Sequence, residues 1–310
     1  MQNFAQWVTA QPSRGLLAAA GLGVLALFAL PLAAWLPASV MVLALLARGP
    51  RAAAFAAVGA ALPIAWGLGP LAGLGVSMTV TAAILLPPYL AAGLLERTRS
   101  LSFVFQAATL VAVGVLFALH LVLGDPVGLL MPLVNTIRPA LDEMARTLSS
   151  MGIQSSPDEL GEATARVAWA TTVWLMLLHT MIAQFAGLWA FGLLREPGLF
   201  GREFRALKLG RFVGWLTVAA LVLSVAVQAV RGAPWQPLQE VLFVLSAAFA
   251  LQALAVLHAL RETQAIGSWL VVVGYVALGL APMAVVGLGF ADTWMGIRER
   301  FGRKPGAPAG

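Results

Sequence analysis

The stretch "VAWATTVWLMLLHTMIAQFAGLWAFGLL", residues 167–194, contains no Asp, Glu, Lys or Arg. A helix that crosses a bilayer needs about 20 consecutive, mainly apolar residues, so this stretch is long enough for a crossing. Other stretches without charged residues cover residues 15–47, 52–95, 100–124, 212–230, 241–260 and 263–291. This repetition predicts an all-α fold, that of a polytopic helical membrane protein.

The composition supports a membrane environment. Of 310 residues, 60% are hydrophobic and only 10% are charged, and the mean hydropathy is +0.89. Soluble domains carry about 25% charged residues, so this chain could not cover its own surface in water. The net charge of +6 favours contact with membrane lipids over nucleic acid, because the bases lie between apolar runs. The absence of cysteine excludes disulfides and cysteine-ligated metals.

The positive-inside rule indicates how often each stretch crosses the membrane. Stretch 15–47 lies between Arg14 and Arg48, so both of its ends prefer the cytoplasm. Two crossings are therefore needed, and Pro31 and Pro37 provide a break between them.

Two other stretches are also flanked by bases at both ends. In stretch 52–95 we expect a turn at "GLGPLAG", residues 67–73, and a second break at Pro87 and Pro88. In stretch 263–291 the dipeptide Ala281-Pro282 is the candidate turn.

With single crossings elsewhere, the sum is ten crossings in one integral membrane domain, residues 1–310, with both termini in the cytoplasm. Some of the paired helices are short, since 16 residues extend about 24 Å and the hydrocarbon core is about 30 Å thick. If the first and last pairs are single long helices, there are eight crossings and both termini lie outside.

The longest hydrophilic segment, residues 124–166, holds six acids against three arginines and is predicted to be an extracytoplasmic helical loop. An amphipathic helix is indicated by one apolar stripe, formed by Ile137, Leu141, Met144, Leu148 and Met151. A second helix is expected to begin at the capping sequence Ser156-Pro157 and to continue unbroken to residue 194.

Two basic segments are assigned to the cytoplasm. Residues 195–211 contain five bases against two acids, and residues 298–310 form a basic tail. Phe200, Phe204 and Leu207 in the first segment suit an interfacial helix on anionic lipid, although simple topogenic charge explains the bases equally well.

Sequence motifs for catalysis are absent. No G-x-x-x-x-G-K-[ST] loop occurs, so we expect no ATPase activity in the chain itself. The three histidines, His120, His179 and His258, fall on three different predicted helices, and their spacing predicts no metal site. We therefore expect a protein that is not an enzyme and has no cofactor.

Polar residues within the predicted spans need partners there. His179, Thr180 and Gln184 form a polar stripe near the middle of stretch 167–194. They are either interhelical hydrogen-bonding residues or substrate-binding residues of a small-molecule cavity.

A lone carboxylate precedes the basic tail in "GFADTWMGIRERFG", residues 289–302. We expect Asp292 to point away from Arg298 and to pair with an arginine on a neighbouring helix end, where the candidates are Arg48, Arg51, Arg97, Arg99 and Arg261. Phe290, Trp294 and Arg298 share one helix face, with Trp294 at the interface. Asp292, Trp294 and Arg298 are thus candidates for a structural clamp or, alternatively, for a coupling role.

The segments "REFRALKLGR" (residues 202–211) and "GLGFADTWMGIRER" (residues 287–300) resemble the YybS-like family of uncharacterised bacterial multi-pass membrane proteins. Gly289, Asp292, Trp294 and Arg298 occupy the places of the family's closing pattern. The chain departs from that pattern at Gly296-Ile297, where an acidic or aromatic residue is expected.

This resemblance implies a bacterial inner-membrane protein, remotely similar to the S-components of energy-coupling-factor transporters and to MreD-type proteins. One implied function is binding or transport of a small solute, with a separate ATPase partner. The other is a non-catalytic scaffold for the cell envelope or cell shape, which docks partner proteins through its basic cytoplasmic loops.

Overall fold

A computed structural model describes residues 1–29 and 33–301, and all regular secondary structure within these ranges is helical. The α-helices are α1 (Gln2–Ala10), α2 (Pro12–Leu27), α3 (Trp35–Arg48), α4 (Pro50–Thr98), α5 (Leu101–Leu123), α6 (Pro126–Val134), α7 (Arg138–Ser150), α8 (Pro157–Arg166), α9 (Ala168–Arg195), α10 (Leu199–Arg205), α11 (Gly210–Arg231), α12 (Gln236–Glu262), α13 (Ser268–Leu280), α14 (Pro282–Met295) and α15 (Ile297–Phe301). The predicted all-α fold is confirmed.

Within the described residues, five helices are long and apolar enough to cross a membrane: α4, α5, α9, α11 and α12. The α13–α14 pair raises the number to six if it counts as one bent span, and α2 and α3 are shorter apolar helices. The predicted polytopic helical architecture is confirmed, while the number of crossings stays a prediction.

Helix α4 contains 49 residues, so a straight helix of this length would extend about 74 Å, more than twice the hydrocarbon thickness. It is bent at Gly73, whose φ of 78° and ψ of 160° are not helical. The predicted turn at residues 67–73 is thus confirmed, because glycine tolerates a positive φ without a Cβ clash. The predicted break at Pro87 and Pro88 is wrong, since the second arm of α4 continues through both prolines to Thr98.

The two terminal helix pairs differ from single long helices. Helix α13 ends at Leu280 and α14 begins at Pro282, with a bend of 120° between them, which confirms the predicted turn and contradicts one straight helix. Helices α2 and α3 are separate. Pro37 lies inside α3 rather than in the break, and Pro31 falls outside the described residues.

Contacts divide the chain into two compact units. The first consists of Met1–Ala108, Met176–Arg211 and Phe249–Gly310, and the second of Thr109–Leu175 and Phe212–Ala248. The prediction of one integral membrane domain, residues 1–310, stays a prediction.

Small residues allow close packing of α2 on α4 in the first unit. Gly15, Ala19 and Gly23 of α2 are buried, and a Cβ on Gly59 of α4 would overlap the carbonyl oxygen of Leu16. Because nothing larger than glycine fits at position 59, the two backbones come into direct contact, as in other membrane helix pairs.

Residues 124–166 form α6, α7 and α8 in the second unit, around a small core of Val134, Leu141 and Ala165. The capping box at Ser156 and Glu159 is confirmed. Arg138 lies 2.7 Å from Asp158, and this hydrogen bond raises the pKa of Arg138 above its ordinary value.

Two details of this segment differ from the prediction. Helix α8 ends at Arg166 and α9 begins at Ala168, so the expected unbroken helix is interrupted at Val167. Of the apolar stripe on α7, Leu141 is buried, whereas Ile137, Met144 and Met151 are exposed.

Candidate functional site

The predicted stripe on α9 contacts the second arm of α4. His179 donates a hydrogen bond from Nε2 to the carbonyl oxygen of Ile84, at 2.8 Å. Pro88 has no N–H and cannot supply the usual donor to the carbonyl four residues earlier, which is that of Ile84. His179 therefore replaces the backbone donor that Pro88 lacks, one of the two donors missing from the proline pair.

Gln184 lies one turn further along α9 and is completely buried. Its Nε2 donates to the carbonyl oxygen of Pro88 at 2.8 Å, while its Oε1 has no hydrogen-bond partner among the described residues. Thr180 is buried beside them. The contacts of His179 and Gln184 correspond to the interhelical alternative. None of the three stripe residues lines the two cavities of about 520 and 440 Å³.

Asp292 forms a buried ion pair with Arg298 in the first unit. The Asp292 side chain is 1% exposed, and its Oδ2 lies 2.7 Å from Nη2 of Arg298. Arg298 also donates to two carbonyl oxygens of the segment between α10 and α11, those of Arg205 at 2.6 Å and Leu207 at 2.9 Å.

The expectation that Asp292 points away from Arg298 and pairs with Arg48, Arg51, Arg97, Arg99 or Arg261 is wrong. Helix α14 ends at Met295, and Gly296 takes a left-handed conformation with φ of 58°. The chain then turns back, which brings Arg298 beside Asp292 instead of one turn further along the same helix.

Gln252 of α12 completes this cluster. Its Oε1 accepts from the backbone N–H of Leu209 at 2.8 Å, and its Nε2 donates to the carbonyl oxygen of Gly289 at 2.9 Å. The same Nε2 lies 3.2 Å from Asp292. We call Asp292, Arg298 and Gln252 the clamp, because they join α12 and α14 to residues 205–209.

The ring of Trp294 contacts Phe290, with centroids 6.2 Å apart.

The basic segment 195–211 is also turned toward the protein. Phe200 and Phe204 pack against Phe185 of α9, with ring centroids 5.8 and 5.4 Å apart. Three of its five bases form ion pairs with acids of the same unit, in the pairs Arg202–Glu196, Arg205–Glu262 and Lys208–Glu299. These contacts favour an internal packing role over a helix that lies on lipid.

An apolar cleft of about 520 Å³ lies between α3 and the two arms of α4. Its lining is Met41, Ala54, Ala57, Val58, Ala61, Ala65, Met78, Thr81, Ala82, Leu85, Leu86 and Tyr89. Only Thr81 and Tyr89 carry polar atoms in their side chains, and Val58, Met78 and Leu86 are more than half exposed at its edge. Sequence reasoning missed this cleft, because it exists only when the bend at Gly73 brings residues of both arms together.

Sequence reasoning also missed a buried ionisable pair in the second unit. His120 of α5 donates from Nε2 to Glu240 of α12 at 3.0 Å, and the Glu240 side chain is 4% exposed. A separate cavity of about 440 Å³ lies beside His120. The available signal in the sequence is Glu240 itself, which directly precedes the uncharged stretch 241–260.

The amino-acid sequence matches a known family. A family model described as "Predicted membrane protein (DUF2232)" matches residues 16–293. The chain belongs to the DUF2232 family. No curated protein and no solved structure gives a match.

The DUF2232 match includes the cleft, the α9 stripe and Asp292, and it ends before Trp294 and Arg298. Together with the apolar helices it establishes a multi-pass protein embedded in a membrane. The likeness to the YybS-like family, to S-components and to MreD-type proteins stays an expectation from sequence.

Proposed function

We propose that this DUF2232 protein is a non-catalytic membrane protein that binds an apolar small molecule taken from the bilayer. The observation that carries the proposal is the cleft between the arms of α4, with a volume of about 520 Å³. Small-molecule sites in proteins commonly have volumes of about 300–1,000 Å³.

The lining favours an apolar ligand over the charged solutes that many transporters carry. No lining residue is charged, so an ionic group would lose its hydration without gaining a partner. The two hydroxyl groups lie on the second arm, where Thr81 donates to the carbonyl oxygen of Ser77 at 2.7 Å. Its oxygen can still accept, so Thr81 and Tyr89 are suited to orient one polar group of an otherwise apolar ligand.

The opening indicates where the ligand comes from. Val58, Met78 and Leu86 are exposed side chains on α4, a helix apolar enough to lie in the membrane. A ligand that enters past them comes from the lipid phase, which suits an acyl chain or an isoprenoid chain. In this proposal the protein lies in the bacterial inner membrane, and any active transport depends on an ATPase of a partner protein.

The scaffold alternative has less support from the contacts. Three of the five bases in residues 195–211, Arg202, Arg205 and Lys208, already pair with acids of the chain, so a docked partner would have to compete for them. Membrane lipids and a membrane or ATPase partner remain proposed partners.

The test is a thermal-denaturation screen of the full chain in detergent. One panel contains fatty acids and isoprenoid alcohols, and the other contains water-soluble vitamins and metabolites. A ligand at 100 times its dissociation constant stabilises the folded state by about 2.7 kcal/mol, and we expect such an increase only from the apolar panel. Stabilisation by the hydrophilic panel alone would contradict the proposed ligand class.

A matched pair of variants locates the binding. Ala82→Phe places a ring in the cleft, and Val80→Phe places the same ring at an exposed position of the same arm that does not line the cleft. We expect the first variant to lose the stabilisation and the second to keep it. Equal responses would place the ligand elsewhere, and no response together with a co-purified envelope protein would favour the scaffold.

A further inference from the structure

The His120–Glu240 pair lies in a setting that the proposed function does not use. His120 is near the end of α5, and Glu240 is in the second turn of α12. One carboxylate oxygen of Glu240 accepts from His120 at 3.0 Å, and the other accepts from Nε2 of Gln236, also at 3.0 Å. Both oxygens are thus satisfied, which keeps this buried carboxylate in one position.

The adjoining cavity has a volume of about 440 Å³, within the range of small-molecule sites. Its wall includes His120, Asp125, Gln236 and the two aromatic residues Phe117 and Trp235. Asp125 uses Oδ1 to accept from the backbone N–H of Val127, which fixes the carboxylate at the start of α6.

Acidic side chains outnumber basic ones at this site. Asp125 lines the cavity, and Glu240 contacts the lining residue His120 without lining the cavity itself. No lysine or arginine is among the lining residues that the structure describes. Arg166 contacts Gln236 through its backbone oxygen, and its guanidinium is paired with Glu162 at 2.9 Å.

A negative cavity with aromatic walls selects among ligand classes. Anions are repelled, and a metal ion is disfavoured because no group of three or more ligating side chains occurs in the described part of the chain. An organic cation can interact with both the carboxylates and the aromatic walls, since an ammonium group is attracted to carboxylates and to the faces of aromatic rings.

We propose that the cavity beside His120 and Glu240 is a binding site for a small organic cation with an ammonium group. Asp125 and the buried pair supply the negative charge, and Trp235 and Phe117 supply the aromatic contacts. The lining residues belong to the second unit, so this proposal does not depend on the apolar cleft, which lies in the first unit.

The test compares choline with 3,3-dimethylbutan-1-ol, a neutral molecule of the same shape, on the purified full chain in detergent. Methylammonium and tetramethylammonium complete the cation panel, and sodium chloride at equal ionic strength is the reference. We expect the denaturation temperature to rise with at least one ammonium ion and to stay unchanged with the alcohol. Equal shifts for choline and the alcohol, or no shift with any ammonium ion at millimolar concentration, would overturn the proposal.

Two substitutions then assign the binding to this cavity. Asp125→Asn removes a charge and keeps a residue that caps helices well, and Trp235→Leu removes an aromatic wall. We expect each to lower the affinity for the ammonium ion about threefold to tenfold. The control is Asp142→Asn on α7, which removes one negative charge from a residue that does not line the cavity. An equal loss of affinity in this control would mean that the overall charge of the protein, and not a contact in the cavity, explains the effect.

Discussion

A single side chain supplies one of the backbone hydrogen bonds that proline removes from the second arm of α4. The carbonyl of Ile84 has no backbone donor from Pro88, and His179 supplies the hydrogen bond at 2.8 Å. In hydrocarbon an unsatisfied carbonyl costs several kcal/mol, so a residue that first suggests a ligand site is explained by backbone chemistry.

This role predicts a specific rescue. His179→Phe leaves the Ile84 carbonyl without a donor, and we expect the free energy of unfolding to fall by about 1–3 kcal/mol. Pro88→Ala restores the backbone N–H, so the double variant should recover most of that loss. Equilibrium unfolding of the four proteins in detergent measures the coupling energy. Additive effects would mean that His179 does not replace the proline's missing donor.

The clamp makes a second prediction at the same scale. Asp292→Asn leaves Arg298 without its charge partner, and loss of one member of a buried pair typically destabilises by about 3–5 kcal/mol. We expect a sharp fall in abundance and in denaturation temperature. Normal abundance combined with lost function would instead indicate a coupling role for Asp292.

At the level of helices, glycine positions decide how closely the elements approach. Gly289 of α14 is buried against α12, where a Cβ would overlap the carbonyl oxygen of Phe249. A backbone atom cannot rotate away, so the spacing of these two helices depends on the missing side chain. The same spacing allows Gln252 to reach the carbonyl oxygen of Gly289 and the carboxylate of Asp292.

Alanine at neighbouring glycines tests this packing. Gly289→Ala must push α14 from α12, and we expect a loss of about 1–3 kcal/mol in the free energy of unfolding. Gly287→Ala meets no heavy atom within 4 Å and should be neutral or slightly stabilising. Thermal denaturation of both variants is the measurement, and similar losses would show that helix propensity rather than contact decides the outcome.

For the whole molecule, the remaining structural issue is its orientation in the bilayer. The charge distribution predicts that residues 124–166 lie outside and residues 195–211 in the cytoplasm, and helix α9 connects these two segments. Because the chain has no cysteine, one introduced thiol reports its own location without background.

Labelling with a membrane-impermeant thiol reagent tests this orientation. Gln154→Cys lies in the exposed turn between α7 and α8, and Pro197→Cys lies in the exposed turn before α10. We expect the first to react in intact cells and the second only after permeabilisation.

A reporter fusion tests the position of the C-terminus. A reporter that works only in the cytoplasm should be active when it is fused after Gly310, and activity of only a periplasmic reporter would refute the ten-crossing arrangement.

Much of the fold follows from local patterns. Stretches without charges predict membrane helices, because length and hydropathy alone determine whether a segment is stable in lipid. The turns at residues 67–73 and 281–282 were predictable from glycine and proline, whose backbone restrictions are also local. The break expected at Pro87 and Pro88 failed, because its compensation comes from another helix, 95 residues away at His179.

The sequence by itself determined that this is an all-helical membrane protein, and it singled out Asp292, His179 and Gln184 as polar residues in need of partners. Only the tertiary structure decided who those partners are. Arg298 reaches Asp292 after a reversal at Gly296, and Glu240 meets His120 from 120 residues away. The cleft likewise requires both arms of α4. The physical reason is common to all three, because a hydrogen bond or a cavity wall depends on distances that residue order does not specify.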